Sequence, residues 1–266
     1  MSRMNQAVYE IHSLDGMANE DRWVNRIHPL VKLCVTIVYI VIVVSYSKYN
    51  LSGLFSMVVY PVILFMMGEI SFVDGMRRMR IVLPLVCVVG IFNPIFDRDI
   101  ICHIGTIGIS GGVISMISLM IKGILTVFGS YLLIATTSIE KICFAFRLLH
   151  IPKIFVTQIL LIYRYISVLL AEANRITQSY ALRAPGQRGV HFKVWGSLVG
   201  QLLLRSMDRA EDIYESMCLR GYQGEFYYGN QIRFRLQDGI YLLFWLAVCL
   251  AFRFLPVLEI VGGLFI

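Results

Sequence analysis

The sequence predicts an all-α integral membrane protein with about five transmembrane helices and, between the fourth and the last, a cytoplasmic module of long amphipathic helices. Three observations carry this. The chain has 266 residues, of which 58% are hydrophobic and only 15% charged, and a mean hydropathy of +0.72, well beyond an ordinary soluble domain. Its apolar runs come in lengths suited to the hydrocarbon core of a bilayer. They are interrupted by Gln201 to Tyr228, QLLLRSMDRAEDIYESMCLRGYQGEFYY, where Leu203, Met207, Ala210, Tyr214 and Met217 recur at steps of four and three, the spacing of one helix face. The other face carries Arg205, Asp208, Arg209, Glu211, Asp212 and Glu215. Each such ion would cost about 3 kcal/mol at mid-bilayer, so this helix is expected to lie between an oily surface and water.

The elements follow in order. Residues 1–30 hold Glu10, Asp15, Glu20, Asp21, Arg22 and Arg26 and lack the apolar run and cleavage site of a signal peptide; they read as a cytoplasmic lead-in. Pro29 in NRIHPL sits where a helix can begin, and Val31 to Tyr46 is the first apolar run. Lys48, Tyr49 and Asn50 break it, and Leu51 to Gly68 returns. The patch from Glu69 to Arg80 holds Arg77, Arg78 and Arg80, which places it inside by the positive-inside rule. Ile81 to Phe96 is a third span with Pro84, Asn93 and Pro94; Asn93 should face protein rather than lipid. Asp97 to Gly112, rich in Gly and poor in cations, reads as an outer loop, and Val113 to Thr137 as a fourth span whose one charge, Lys122, has a structural role.

Ile154 to Leu170 is apolar enough to cross, yet cationic stretches stand on both sides: Lys141, Arg147 and Lys153 before it, Arg175, Arg183, Arg188 and Lys193 after it. A crossing would put them on opposite faces, whereas both should be cytoplasmic. Ile162, Ile166, Leu169, Ala173, Ile176 and Tyr180 also form a seam at steps of four and three. The organisation is therefore residues 1–30 as lead-in, 31–137 as a four-span bundle, 138–237 as the helical module and 238–266 as the last transmembrane helix. In that helix the run from Gly239 to Phe252 crosses and Arg253 sits at the far interface.

Composition and motifs exclude several functions. The six cysteines and five histidines are scattered, without a C-x-x-C pair or helical ligand spacing, so no metal site is expected in this chain. The net charge of +7 is accounted for by cytoplasmic Lys and Arg, not nucleic acid. No P-loop, G-x-S-x-G or H-E-x-x-H is present, so neither ATP binding of its own nor catalysis is expected. Glu140, Glu172 and Glu211 read as solvated partners of nearby cations. The first four spans hold no acid that could relay protons.

What remains is a pair of helix endings. SYALRAPG, Ser179 to Gly186, stops just after Arg183, and SMCLRGYQG, Ser216 to Gly224, just after Arg220. Proline and glycine close helices. An arginine left at such a tip presents five donors in a planar fork. Either one alone could cap its own helix or meet anionic lipid; two in one module set docking on a partner level with that reading.

The run Arg209 to Gly224, RAEDIYESMCLRGYQG, with ALRAPG at Ala181 to Gly186 and RIHPLVKL at Arg26 to Leu33, resembles the transmembrane T component of energy-coupling factor (ECF) transporters, and most of all its CbiQ branch, associated with cobalt and nickel uptake. The match departs from that family's paired Ala-Arg-Gly signature: Ala184 follows Arg183 and delays glycine to Gly186, and Cys218-Leu219 precede Arg220-Gly221. The resemblance implies a prokaryotic cell-membrane scaffold that holds two cytoplasmic ABC ATPase subunits and one membrane substrate-binding (S) subunit. The ATPases bind the ATP, and this chain needs no cofactor. It further implies that the amphipathic helices are coupling helices, with Ala181, Arg183, Gly186, Arg209, Glu211, Arg220, Gly221, Tyr222 and Gly224 as the ATPase-coupling residues. The cargo would be a micronutrient, cobalt or nickel ion; the alternatives are a T component serving vitamins or the permease subunit of another ABC importer.

Overall fold

The computed structural model describes residues 15–96, 100–104, 107–184, 186, 189–224, 226 and 234–254. Among these the chain is helical except for one two-stranded ribbon. It divides into two compact units, a bundle of Met17–Ser138 with Ile232–Ile266 and a helical module of Ile139–Gln231 grouped with Met1–Gly16.

In the bundle, α1 (Trp23–Arg26) precedes α2 (Pro29–Ser45). This part of the lead-in is folded: Arg22 donates to the Gly68 carbonyl, and Asn25 Nδ2 donates to Met17 O and Glu20 O at 3.0 and 2.9 Å. Pro29 opens α2, whose end is capped by His28, Nδ1 accepting from Leu30 N. The buried face of α2 runs His28, Lys32, Thr36, Tyr39, Val43, a polar end leading into an aromatic middle at helical steps of three and four.

The Leu51 to Gly68 run is two helices, α3 (Leu51–Ser56) and α4 (Val59–Gly68). Asn50 caps the first, its Oδ1 accepting from Gly53 N. Pro61 cannot donate to the carbonyl four residues back, that of Met57; the hydroxyl of Tyr39 does so instead, at 3.1 Å. Tyr39 stacks on Tyr60 with centroids 4.2 Å apart, and Tyr60 meets Trp245 of the last helix edge-on at 4.7 Å.

Helix α5 (Phe72–Phe96) begins nine residues before the expected third span and takes in the Arg77–Arg80 patch, since Gly75 is the one poor helix former between Phe72 and Ile81 and no proline stands there. Asn93 Nδ2 donates to Ser115 Oγ at 3.2 Å, so it does face protein. The expected outer loop contains an antiparallel ribbon, β1 (Ile100–Ile104) and β2 (Ile107–Ser110). Isoleucine recurs through both strands, and β-branching favours extended pairing.

Helix α6 (Gly111–Thr136) packs on α5 and α2, and α10 (Leu236–Phe254) on α2. The C-terminal carbonyls of α2 have no basic residue in their own last turn. Lys122 of α6 reaches them instead, Nζ donating to Val44 O and Tyr46 O at 3.0 and 2.5 Å. Arg253 of α10 lies 4.7 Å above the Tyr46 ring, and Tyr46 donates its hydroxyl to Phe252 O at 2.8 Å. Two neighbours thus supply the positive charge that a helix C-terminus favours.

Among the described residues, four segments can cross a bilayer by length and apolarity: residues 51–68, Gly111–Thr136, Lys153–Arg183 and Leu236–Phe254. Pro29–Ser45 and Val82–Pro94 are apolar but shorter. At 1.5 Å per residue, α2 is about 26 Å long, a little less than the roughly 30 Å hydrocarbon core.

The module contains α7 (Ile139–Leu148), α8 (Lys153–Arg183) and α9 (Phe192–Leu219). Helix α8 packs on both others.

Candidate functional site

Two long helices build the site. Helix α8 ends on Arg183. The next residue, Ala184, has left helical geometry (φ −125°, ψ 62°), as a residue before proline is driven to do; Pro185 and Arg188 lie outside the described residues. Gly186 follows at φ 101°. Helix α9 closes differently. Tyr222 N donates to Met217 O at 3.0 Å and Gly221 N to Cys218 O at 2.9 Å, the paired bonds of a Schellman motif with Gly221 at the left-handed position, φ 84°. Arg220 is the residue that caps this helix. An L side chain would be strained at Gly221, so the glycine fixes where the chain leaves and leaves Arg220 at the tip.

Both arginines are exposed, as are Ala181, Gly186, Arg209, Glu211, Gly221 and Gly224; Tyr222 is half-buried. The Tyr222 ring lies 5.3 Å from that of Phe226. Arg147 of α7 donates to the Phe226 carbonyl at 3.2 Å, which ties the segment after α9 to the first helix of the module. Beside the tip, a hydrogen bond with Cys218 holds the Tyr214 hydroxyl above its ordinary range.

The two helices meet at a charged clasp. Glu172 of α8 binds Arg205 of α9 and, at 3.5 Å, Arg175 of its own helix. Next to it an open-sided apolar cavity of about 160 Å³ lies between Ile176 and Thr177 of α8 and Trp195, Leu198 and Leu202 of α9. Along the helix axes, Arg183 stands about 16 Å beyond the clasp and Arg220 about 22 Å, from the residue counts at 1.5 Å each. The site therefore places two fixed cations at the ends of two stiff arms joined near their middles. Among the described residues no group of His, Cys, Asp and Glu could hold a metal ion.

The expected apolar seam of α9 is not the line that packs on α8. Leu203, Met207 and Tyr214 are more than half exposed, while the half-buried line runs through Leu198, Leu202, Ser206, Ile213 and Met217. Both stripes obey helical spacing, and periodicity cannot rank two adjacent stripes of similar apolarity. Sequence reasoning placed Glu172 beside cations but missed Arg205 as its partner, 33 residues away; no local signal marks such a pair.

The sequence profile of the CbiQ family, described as a cobalt transport protein, matches residues 20–228. The chain belongs to the CbiQ family. It is 27% identical over 237 residues to the energy-coupling factor transporter transmembrane protein EcfT of Listeria innocua serovar 6a, covering 80% of this chain and 84% of the relative. An uncharacterized protein of Methanocaldococcus jannaschii is 27% identical over 192 residues, 68% of this chain and 66% of its own. This CbiQ member is thus a helical membrane protein of a transport family, not of a catalytic one.

Proposed function

We propose that this CbiQ protein is the T component of an ECF-type importer. It would couple two cytoplasmic ABC ATPase subunits, which bind the ATP, to an S subunit that holds a micronutrient, cobalt or nickel ion, in the cell membrane. The observation that carries this reading is the pair of exposed arginines, Arg183 and Arg220, each ending a long helix of the clasped pair. The family match and the name of the Listeria relative support it.

The chemistry follows from the geometry. A guanidinium at a helix end can donate to carboxylates or carbonyls lining a groove of a partner. When the two ATPases close on ATP, their grooves move, and arms that are stiff over about 20 Å pass the displacement to the clasp at Glu172 and Arg205 instead of absorbing it. Helix α8 then lies at the cytoplasmic face, since cations flank its apolar stretch on both sides, although its length would also permit a crossing. Ala181, Gly186, Gly221, Tyr222 and Gly224 shape or border the two tips, Arg209 and Glu211 lie on the α9 arm between clasp and tip, and all belong to the same docking surface.

The test is charge reversal in the assembled complex. Arg183→Glu and Arg220→Glu should each abolish transport-linked ATP hydrolysis while the protein still inserts and stays folded. Full coupled hydrolysis in both variants would refute the assignment.

A further inference from the structure

We infer that Lys32 and Asp238 fasten to the bundle both segments of chain that lead into and out of the helical module, and that they are positioning residues for coupled transport. Besides the crossing at Gly16–Met17, the chain passes into the helical module at Ser138–Ile139 and out of it at Gln231–Ile232. Within the bundle, each of these last two passages adjoins a buried polar bond to the start of α2. Lys32 Nζ donates to the carbonyl of Thr136, the last residue of α6, at 2.7 Å. Asp238, in the first turn of α10, accepts from His28 N through Oδ1 and from Arg235 N through Oδ2, both at 2.8 Å. Lys32 is 4% exposed and Asp238 3%, and Thr136, Thr137 and Ser138 are buried as well.

His28 and Lys32 stand four residues apart, on one face of α2. One short stretch, the RIHPLVKL motif, therefore grips both passages: its lysine holds the helix end that leads into the module, and its backbone holds the helix start that leads back. The amine at the C-terminus of α6 and the carboxylate at the N-terminus of α10 each match the local helix dipole.

Each bond pairs a buried backbone group that would be costly if left unpaired, while the charge itself gives up hydration to be there. What the polar bonds add is direction: each fixes a carbonyl or an N–H at one place, where apolar packing would let the segment slide. A fixed passage transmits a pull from the module, and a loose one takes it up as slack.

This inference rests on the proposed coupling role, and the experiment separates the two. In the purified four-subunit complex in lipid nanodiscs, spin labels at exposed Ser179 of the module and exposed Glu69 of the bundle report the distance change on adding ATP, alongside the rate of ATP hydrolysis. Lys32→Met and Asp238→Leu should keep hydrolysis but lose the distance change, and Lys32→Arg, which retains a donor, should recover it. If either variant fails to assemble, Asp238→Asn, which keeps one acceptor oxygen, gives the same reading through a weakened change. An ATP-dependent distance change in Lys32→Met and Asp238→Asn equal to the parent's would overturn the inference while leaving the coupling role intact. Undiminished hydrolysis in Arg183→Glu and Arg220→Glu in the same preparation would overturn the coupling role itself.

Discussion

Tyr39→Phe removes one oxygen and keeps the ring that stacks on Tyr60, so it isolates the bond to Met57 O. That carbonyl is denied its usual helical donor by Pro61, and Tyr39 is fully buried. A buried acceptor left without a donor costs about 2 kcal/mol, or roughly 4–8 °C in thermal midpoint for a chain of this size. The reasoning is sharpened by Pro61→Ala, which restores a backbone N–H at the position that can reach Met57 O. In that background Tyr39→Phe should have less than half its effect. The assay is thermal unfolding of the four proteins in one detergent, read as a double-mutant cycle. An equal loss in both backgrounds would show that the tyrosine hydroxyl does not stand in for the missing amide.

Lys122→Met leaves the Val44 and Tyr46 carbonyls without their cation and should destabilise the bundle by about 1–3 kcal/mol, measured in the same way; no loss would mean that Arg253 alone serves that helix end. Arg205→Glu sets like charges together at the clasp, and adding Glu172→Arg restores an attractive pair. Coupled ATPase activity should fall in the single variant and return in the double, and failure to return would assign the loss to something other than the clasp. Asp21 is held below the usual carboxylate range by its hydrogen bonds to Arg26 and by that residue's charge. A depressed folded value stabilises at pH above the ordinary carboxylate range, about 4, and is lost as pH falls through the folded value. Asp21→Asn should thus flatten the acid side of a stability profile and, because both groups are exposed, change the neutral-pH midpoint little.

The helical architecture was legible because apolar run length and helical period are local properties of the chain. Pro29 at the head of α2, Asn93 turned toward protein and the structural use of Lys122 could be read from single residues whose alternatives in lipid are expensive. The two arginine tips were equally readable, since each is marked by the glycine or proline that stops its helix. Lys32 escaped notice because one charge near the start of an apolar run looks like an interfacial residue, and its acceptor is 104 positions away. Asp238 was hidden in the same way, its partner His28 being 210 positions back. The ribbon within the stretch from Asp97 to Gly112 was obscured by glycine content, which speaks for a loop even where isoleucines favour pairing.

Helix α2 is held at one end by Asp238 and at the other by Arg253 and the Phe252 carbonyl. All three belong to the last helix of the described chain. During synthesis the first long apolar helix therefore gains Lys122 at its C-terminal end when α6 arrives, whereas its contacts with Asp238, Arg253 and the Phe252 carbonyl form only after more than two hundred further residues have been translated.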